Sequence, residues 1–366
     1  MLGRLRRCEL VSHPLAVFFD EYEDAHQPIV GGKCSSLGAM TRAGLPVPIG
    51  FAVTTHAFIG SMSRDGVGPV VRQLLDGLDV TDLERLASVG TSCRRTVRDA
   101  GPSPVSEEAI RVGYRQLCER TGTTDLPVAV RSSATAEDQP DASFAGQQDT
   151  YLWIRGEDEV VNHVVRCWAS MYTDRAISYR TENGYPHDDV AMSVAIQQMV
   201  LPKSAGVAFT LNPINGDRSS IVIDSAFGLG ESVVSGTVTP DNYTVDKVIF
   251  EITKRVVSAK ELECRVEGDV VVSTPLDAER SVTASLADHE IKAVARLARQ
   301  AEKHFGRPQD IEWAVTVGDN GESVIHLLQS RPETVWSNKP RQVSNGVLSG
   351  VAGVVSNLLK PTQVQS

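Results

Sequence analysis

The residues that could do chemistry begin at the end of a short apolar strand predicted over residues 126–131. This strand ends in Arg131 and runs into a loop of small hydroxyl residues, which continues through Gly146 to Thr150. A guanidinium beside a loop whose backbone N–H groups face inward suits an oligophosphate, and Gly146 would let the loop approach it closely. An ordinary polar loop has a similar composition, so the composition alone leaves both interpretations open.

A hairpin predicted over residues 309–330 offers a second cluster. An Asn-Gly dipeptide at 320–321 favours a type I′ turn, and a turn centred there places Glu312 opposite Gln329 and Asp310 opposite Arg331. All four side chains would project from one face, because strand side chains alternate. Carboxylate and amide oxygens suit Mg²⁺ that shares phosphate oxygens. The alternative is a solvated ladder with a surface Asp–Arg pair, and a bulge would break the register.

The totals limit the function classes. The chain has 366 residues, a formal net charge of −10 and 41% hydrophobic residues. This length predicts about two domains or lobes, each able to bury a core. The acidic balance argues against a general binder of nucleic acid or membrane surfaces. Six scattered cysteines without a CxxC pair indicate reduced thiols, and no segment approaches the roughly 20 apolar residues that span a bilayer. We therefore expect a cytoplasmic protein that binds neither nucleic acid nor membrane.

The elements that must position these residues suggest two mixed α+β lobes with a cleft between them. In the first 60 residues, Gly31 and Gly32 indicate a turn between short elements. Ser106 and Ser285 are the expected starts of two helices. Helical patterns cover residues 69–78, 81–100, 106–121, 157–180 and 286–305. Strand patterns cover residues 126–131, 190–200, 206–211, 221–227 and 242–252. The predicted segments are lobes at 1–190 and 191–335 and a linker or docking tail at 336–366.

Four blocks of the sequence resemble the nucleotide-binding domain of the phosphoenolpyruvate synthase and pyruvate phosphate dikinase family, and they cover most of residues 29–333. They contain Gly31-Gly32-Lys33, Val130-Arg131-Ser132-Ser133, Gln197-Gln198-Met199-Val200 with Gly228-Leu229-Gly230-Glu231, and Asp310-Ile311-Glu312 with Gln329-Ser330-Arg331. The resemblance implies an α+β ATP-grasp fold of the pyruvate phosphate dikinase N-terminal type, in which two lobes clamp ATP. A P-loop fold is excluded, because the GxxxxGK[ST] pattern does not occur.

The resemblance also implies roles for individual residues. Lys33, Arg131 and Arg331 match the family's catalytic cations that contact the nucleotide phosphates. Gly146 and Thr150 match the loop that closes over those phosphates.

The base, the metal and the remaining nucleotide contacts are implied in the same way. The strand that reads adenine through its backbone is expected at Gln197, Met199 and Val200. Glu231 follows the family's glycine-rich turn. Glu312 and Gln329 match the Mg²⁺ ligands, and Asp310 matches the acidic neighbour of the second phosphate arginine.

The chemistry implied is transfer of the β-phosphate of ATP to a histidine on a separate domain, with AMP and phosphate as products. The family's carrier histidine sits in a Thr-Ser-His-like motif, and none of the eight histidines of this chain stands in such a context. The resemblance therefore predicts an ATP-binding subunit that acts on a histidine of a partner. Split systems of this kind resemble phenylphosphate synthase, which makes a phenol one candidate for the final acceptor.

Three alternatives stay open at this point. The chain could be the ATP-binding portion of a phosphoenolpyruvate synthase or of a rifamycin phosphotransferase. It could be a self-contained ATP-grasp kinase or ligase that releases ADP, or a nucleotide sensor without catalysis. The intact set of Lys33, Arg131, Glu312, Gln329 and Arg331 argues against the sensor.

Overall fold

Two antiparallel sheets organise the chain in the computed structural model, which describes residues 14–64, 66–134, 138–139, 142–143, 149–187 and 190–336. The strands are β1 (Ala16–Phe18), β2 (Gly50–Val53), β3 (Val128–Ala134), β4 (Asp138–Gln139), β5 (Ala142–Ser143), β6 (Thr150–Ile154), β7 (Met192–Gln198), β8 (Ser204–Phe209), β9 (Ser220–Phe227), β10 (Asp241–Asp246), β11 (Ile252–Val256), β12 (Leu262–Glu267), β13 (Val270–Pro275), β14 (Gln309–Val317) and β15 (Ser323–Pro332). The helices are α1 (Gln27–Arg42), α2 (Thr55–Met62), α3 (Val67–Leu75), α4 (Leu83–Ala100), α5 (Pro104–Thr121), α6 (Glu157–Ser170), α7 (Asp174–Glu182), α8 (Glu231–Val234), α9 (Ala278–Ser281) and α10 (Asp288–Phe305).

The first sheet has the order β1-β2-β7-β3-β6 and the second has the order β11-β10-β9-β8-β14-β15. Helices α2 to α6 bury one face of the first sheet in a core that includes Phe51, Val130 and Trp168. Helices α1 and α10 share a second core with residues of both sheets, among them Ala195 and Trp313. The α+β fold expected from the sequence is therefore present, with α1 packed where the two sheets approach each other.

The chain divides into two compact units, Met1–Glu333 and Thr334–Ser366, and both sheets belong to the first. Strand β7 follows the lobe boundary predicted at residue 190, yet it pairs with β2 and β3 inside the first sheet. The change from one sheet to the other falls between β7 and β8. The three segments 1–190, 191–335 and 336–366 stay a prediction about domains.

Helix α1 occupies a region where the sequence suggested only turns and short elements. The helix is broken at Gly31, whose φ of 67° and ψ of 171° are not helical. A Cβ at this position would lie 2.3 Å from the carbonyl oxygen of Ser133, so glycine is needed here for both conformation and space. The Ser133 hydroxyl bridges the break, because it donates to the Val30 carbonyl at 3.1 Å and accepts from the Cys34 N–H at 3.3 Å. The end of β3 therefore holds α1 in place.

Several predicted elements were wrong in their limits. The helix expected over 157–180 is two helices, because the Thr173 hydroxyl accepts from the Ala176 N–H and starts α7 anew. The strand expected over 242–252 is a hairpin of β10 and β11, where the Asp246 carboxylate accepts the N–H groups of Val248 and Ile249 in the turn. Local capping bonds decided both cases.

Both predicted helix starts were also wrong. Helix α5 begins after Ser103, whose hydroxyl accepts from the Ser106 N–H, and Pro104 takes the first helical position. Helix α10 begins after Ala287, whose N–H donates to Glu290, while the Ser285 hydroxyl bonds to buried Asp241. None of the described helices has the length and apolar character that crossing a membrane requires.

Candidate functional site

The first of two neighbouring cavities, the first cavity, has a volume of about 230 Å³ and lies between the two sheets. One end carries charge, and the other end is mostly apolar. The charged end is formed by Lys33, Arg131, Glu312 and Arg331, because all three cations act on the Glu312 carboxylate. Glu231 is a further charged residue of the lining. The remaining lining residues are Ala129, Thr150, Leu152, Gln197, Gln198, Met199, Val200, Pro202, Ala205, Gly206, Leu229, Gly230, Val234, Trp313, Ala314 and Leu328. A cleft with an apolar end and a few converging polar groups is the usual form of a small-molecule site.

Lys33 reaches the cavity because it follows the break in α1. Its side chain is 6% exposed, and its Nζ donates to the Ser132 carbonyl oxygen at 3.0 Å. The break at Gly31 brings α1 against the end of β3, so the ammonium lies beside the strand that carries Arg131. The sequence placed these cations in separate blocks, and the fold brings them together.

Arg131 and Glu312 connect the two sheets across the cavity. The Arg131 Nη2 donates to the Glu312 Oε2 at 2.7 Å, and the two side chains are 12% and 25% exposed. Burial opposes ionisation of Glu312, but the charge and hydrogen bond of Arg131 outweigh it, with help from Arg331 and Lys33, and the pKa of Glu312 is lowered. Glu312 is therefore an anionic group among three cations, which is a suitable setting for a metal-bound polyanion.

The hairpin of β14 and β15 has the two predicted pairs near the site, although the predicted turn was wrong. Of the two residues at 320–321 only Gly321 has a positive φ, of 81°, whereas a type I′ turn requires positive φ at both. The pairing begins at Val317 and Ser323, one residue out of the predicted register. A bulge then places Trp313 opposite Leu327 and leaves Leu328 as the extra residue.

This bulge restores the predicted register next to the cavity. Glu312 lies opposite Gln329 and Asp310 lies opposite Arg331. The shift of one residue at the turn and the extra residue of the bulge therefore cancel. The four side chains share one face as expected.

The polar groups on this face are incompletely satisfied. Gln329 is 2% exposed, and among the described residues neither its Oε1 nor its Nε2 has a hydrogen-bond partner. Asp310 Oδ1 also has no partner within the described part of the chain, and burial together with Glu333 raises the pKa of Asp310 to about 7, against the opposing effect of Arg331. A buried carboxamide without partners is costly unless a ligand satisfies it.

Gln329 and Asp310 line the neighbouring second cavity, which has a volume of about 470 Å³. It shares Val234, Glu312 and Arg331 with the first cavity. Within the described ranges, no group of three or more His, Cys, Asp or Glu side chains has metal-binding spacing. A cation at Glu312 and Gln329 would therefore take its other ligands from a bound polyanion and water, as Mg²⁺ commonly does.

The apolar end contains the three residues expected to read a base. Gln197 is buried, and its Nε2 donates to the Pro48 carbonyl oxygen at 3.4 Å. The Met199 N–H donates to the Pro127 carbonyl oxygen at 2.9 Å, so this donor is already engaged. Val200 makes no backbone hydrogen bond within the described residues. Val200 is therefore the position whose backbone is most available to a ligand.

The remaining predicted residues fall in three places. Thr150 lies opposite Arg131 at the start of β6 and lines the first cavity. Glu231 is the first residue of α8, directly after the glycine turn, and also lines that cavity. Gly146 lies outside the described residues.

The sequence interpretation missed much of the apolar lining. Ala129, Leu152 and Ala314 each lie two residues from a predicted site residue on the same strand, so alternation on β3, β6 and β14 was a usable signal. Leu328 had no such signal, because a bulge turns it toward the cavity.

The chain is similar to known proteins over most of its length. Residues 27–347 match the pyruvate phosphate dikinase, AMP/ATP-binding domain family. A probable phosphoenolpyruvate synthase from Staphylothermus marinus is 43% identical over 344 residues, which cover 88% of this chain and 41% of that protein. A probable phosphoenolpyruvate synthase from Methanothermobacter thermautotrophicus is 43% identical over 350 residues, covering 94% and 50%.

A phosphoenolpyruvate synthase from Aeropyrum pernix is 39% identical over 357 residues, covering 90% of this chain and 43% of that protein. The chain therefore spans about two-fifths to one half of the length of these curated relatives.

Proposed function

The chain belongs to the pyruvate phosphate dikinase AMP/ATP-binding domain family, whose ATP-grasp fold it shares, and from that premise we propose a specific phosphotransfer. The proposed reaction moves the β-phosphate of ATP to a histidine on another domain or subunit, with AMP and phosphate as the other products. ATP binds between the two sheets, with its base at the apolar end of the first cavity and its phosphates at the charged end.

One observation carries this proposal. Lys33, Arg131 and Arg331 line one end of a cavity in a chain whose net charge is −10. A local concentration of three cations in an acidic protein favours an anionic ligand, and planar guanidinium groups suit phosphate oxygens. The mostly apolar lining of the opposite end suits the base of a nucleotide.

Mg²⁺ fits the residues at the charged end. Glu312 is held ionised, and the buried carboxamide of Gln329 offers an oxygen that has no partner among the described residues. We propose that these two side chains hold the metal, which would neutralise negative charge on the bound triphosphate. Asp310 would help to position Arg331 from the opposite strand.

Base recognition rests on the backbone after β7. The engaged Met199 N–H leaves the backbone of Val200 as the proposed reader of the adenine edge, with Gln197 holding the preceding chain in place. Thr150 and Gly146 are proposed to belong to the phosphate-covering loop. Glu231, which lines the first cavity from α8, is proposed to contact the nucleotide.

The catalytic demand on such a site is positioning and charge neutralisation. The three cations would align the triphosphate and stabilise the charge that develops as a phosphorus–oxygen bond breaks. The balanced reaction is ATP, histidine and water giving phosphohistidine, AMP and phosphate. No histidine among the described residues lines the first cavity, which supports an acceptor carried by another domain or subunit. A cytoplasmic location for this reaction is part of the same proposal.

The final acceptor is proposed from the relatives. Several relatives are named phosphoenolpyruvate synthase, which makes pyruvate the first acceptor to test. A phenol, as in phenylphosphate synthase-like systems, is the second.

The test is the phosphorus NMR spectrum of products formed from Mg-ATP by the full chain, with and without a histidine-bearing partner protein. AMP, phosphate and a phosphohistidine signal that all require both proteins are the expected result. ADP released by this chain alone would contradict the proposal and favour the self-contained kinase or ligase.

A further inference from the structure

The second cavity lies beside the charged end of the first. The residues that the two share include Glu312 and Arg331, which are proposed to hold the metal and the phosphates. The base-side residues Met199 and Val200 line only the first cavity. The second cavity therefore adjoins the proposed phosphate site and not the proposed base site. A group that attacks phosphorus has to approach from the phosphate side.

The register of the second sheet defines the floor of this cavity. Asp224, Val207, Glu312 and Gln329 lie side by side on β9, β8, β14 and β15. Neighbouring strands are about 4.8 Å apart, so Asp224 is about 10 Å from Glu312, with Val207 between them. Side chains in one row across a sheet share a face. The floor thus has a carboxylate at one side, an apolar middle and the proposed metal ligands at the other side.

The rest of the lining suits a flat ring that carries an N–H group. Phe209, Val238 and Pro240 form an apolar wall. Asn242 Nδ2 donates to Asp224 Oδ1 at 2.7 Å, and within the described residues the second oxygen of Asp224 has no hydrogen-bond partner. A buried polar side chain, Gln329, also lacks partners in the described part of the chain. A ligand of this cavity would therefore meet one available carboxylate oxygen beside apolar surface.

We propose that the second cavity receives the imidazole ring of the acceptor histidine and that Asp224 accepts the N–H of the ring nitrogen remote from phosphorus. The inference rests on the proposed function and adds the residues that hold the acceptor. An imidazole held by a carboxylate has its tautomer and orientation set, which leaves the other nitrogen with its lone pair toward the phosphate.

The lone pair of the facing nitrogen forms a bond to the β-phosphorus, and the bond from that phosphorus to the oxygen it shares with the α-phosphorus breaks. AMP leaves with that electron pair. Water later cleaves the bond between the β- and γ-phosphates and releases phosphate. The positive charge that the ring acquires lies beside the Asp224 carboxylate.

Asp224→Asn is a sharp test because of its neighbour. Asn242 donates to one oxygen of Asp224, so the carboxamide oxygen of the variant would face Asn242 and its NH₂ group would face the cavity. The variant thus keeps shape but replaces an acceptor with a donor. Asp319→Asn removes the same charge at the exposed hairpin turn, outside both cavities, and serves as the matched control.

The probes are imidazole and 1-methylimidazole, which has a nucleophilic nitrogen but no N–H. AMP and phosphoimidazole formed by the full chain from Mg-ATP are measured by phosphorus NMR. Binding of the same probes to the chain loaded with a non-hydrolysable ATP analogue is measured by saturation-transfer NMR. We expect kcat/KM for imidazole to exceed that for 1-methylimidazole about 10-fold to 100-fold, by analogy with the carboxylates that orient metal-binding histidines. Asp224→Asn should remove this preference, and Asp319→Asn should keep it.

The remaining outcomes separate this inference from the function on which it rests. A preference that persists in Asp224→Asn overturns the inference. If the affinity for ATP also falls 10-fold in that variant, the second cavity holds phosphates instead. If no acceptor yields AMP, the proposed function fails. The binding experiment still tests the second cavity: imidazole binding that depends on Asp224 supports the inference, and a lack of such binding overturns the inference.

Discussion

Replacing Arg131 by alanine removes the group that links the two sheets at the charged end of the first cavity. The lost contacts are the proposed phosphate contact and the 2.7 Å hydrogen bond to Glu312. Loss of one preorganised charge stabiliser slows comparable reactions about 10²–10³-fold, which is about 2.7–4.1 kcal/mol of transition-state stabilisation. We expect kcat for AMP formation to fall by that factor.

The same change has a smaller effect on folding. The Arg131 and Glu312 side chains are 12% and 25% exposed, so their pair lies between an exposed pair, at about 0–1 kcal/mol, and a buried pair broken on one side, at about 3–5 kcal/mol. We expect a loss of about 1–3 kcal/mol in the free energy of unfolding, because Arg331 and Lys33 still face Glu312.

Three measurements separate these effects. Products are followed by phosphorus NMR, Mg-ATP affinity by calorimetry and folding by urea denaturation. Arg155→Ala is the control, since Arg155 forms an exposed ion pair with Asp269 and lines neither cavity. The proposed role of Arg131 in binding the phosphates is refuted if kcat of Arg131→Ala stays within about threefold of the parent value while Arg155→Ala behaves like the parent protein.

Other changes test the metal, the charge network and the backbone. Glu312→Gln should weaken ATP binding in the presence of Mg²⁺ more than in its absence, and equal losses by calorimetry would contradict a ligand role. Burial opposes ionisation of Glu290, but the ion pair with Lys203 at 2.5 Å and other hydrogen bonds outweigh it, so the pKa of Glu290 is lowered. The ionised carboxylate therefore stabilises the fold fully above its ordinary pKa near 4.5, and this contribution is lost as the pH falls below that value. Glu290→Gln should therefore cost roughly 1.5–3 kcal/mol in urea denaturation at pH 7, with a smaller gap at pH 4, and a constant gap would count against the pair. Gly206→Ala should lower the melting temperature by several degrees or prevent folding, because the added Cβ would lie 2.0 Å from a carbonyl oxygen of the next strand. Gly60→Ala, in open space on α2, should raise the free energy of unfolding by about 0.5–1 kcal/mol.

The chemistry of the site was more predictable than its support. Arg131 and Glu312 come from blocks about 180 residues apart, and their assignment to one site came from the resemblance, since alternation on each strand gives no information about the other sheet. Pairing of Glu312 with Gln329 was predicted from a turn type that is wrong, and it holds because the bulge at Leu328 compensates. A bulge has no reliable sequence pattern, so this agreement contains a coincidence.

Helix α1 shows why the rest could not be predicted. Gly31 and Gly32 disfavour a helix locally, and the sequence therefore indicated turns. The helix forms because its buried face packs in the second core and because Ser133 bonds to both sides of its break. Such tertiary support involves residues about 100 positions away, and local propensity does not contain it. The resulting position of Lys33 followed only from the resemblance.

The bulge at Leu328 also makes the hairpin useful for engineering. It separates the ladder into a tip, which closes at Val317 and Ser323, and a base that carries Glu312 and Gln329. Val317 is five residues along the strand from Glu312, which is about 17 Å. We therefore expect the turn between the strands to accept an inserted epitope or fluorescent reporter without a change in the register of the base. A label at this turn would report on attachment of the protein to a surface, on crowding around the protein or on its encounter with a partner, from a point remote from the reacting atoms.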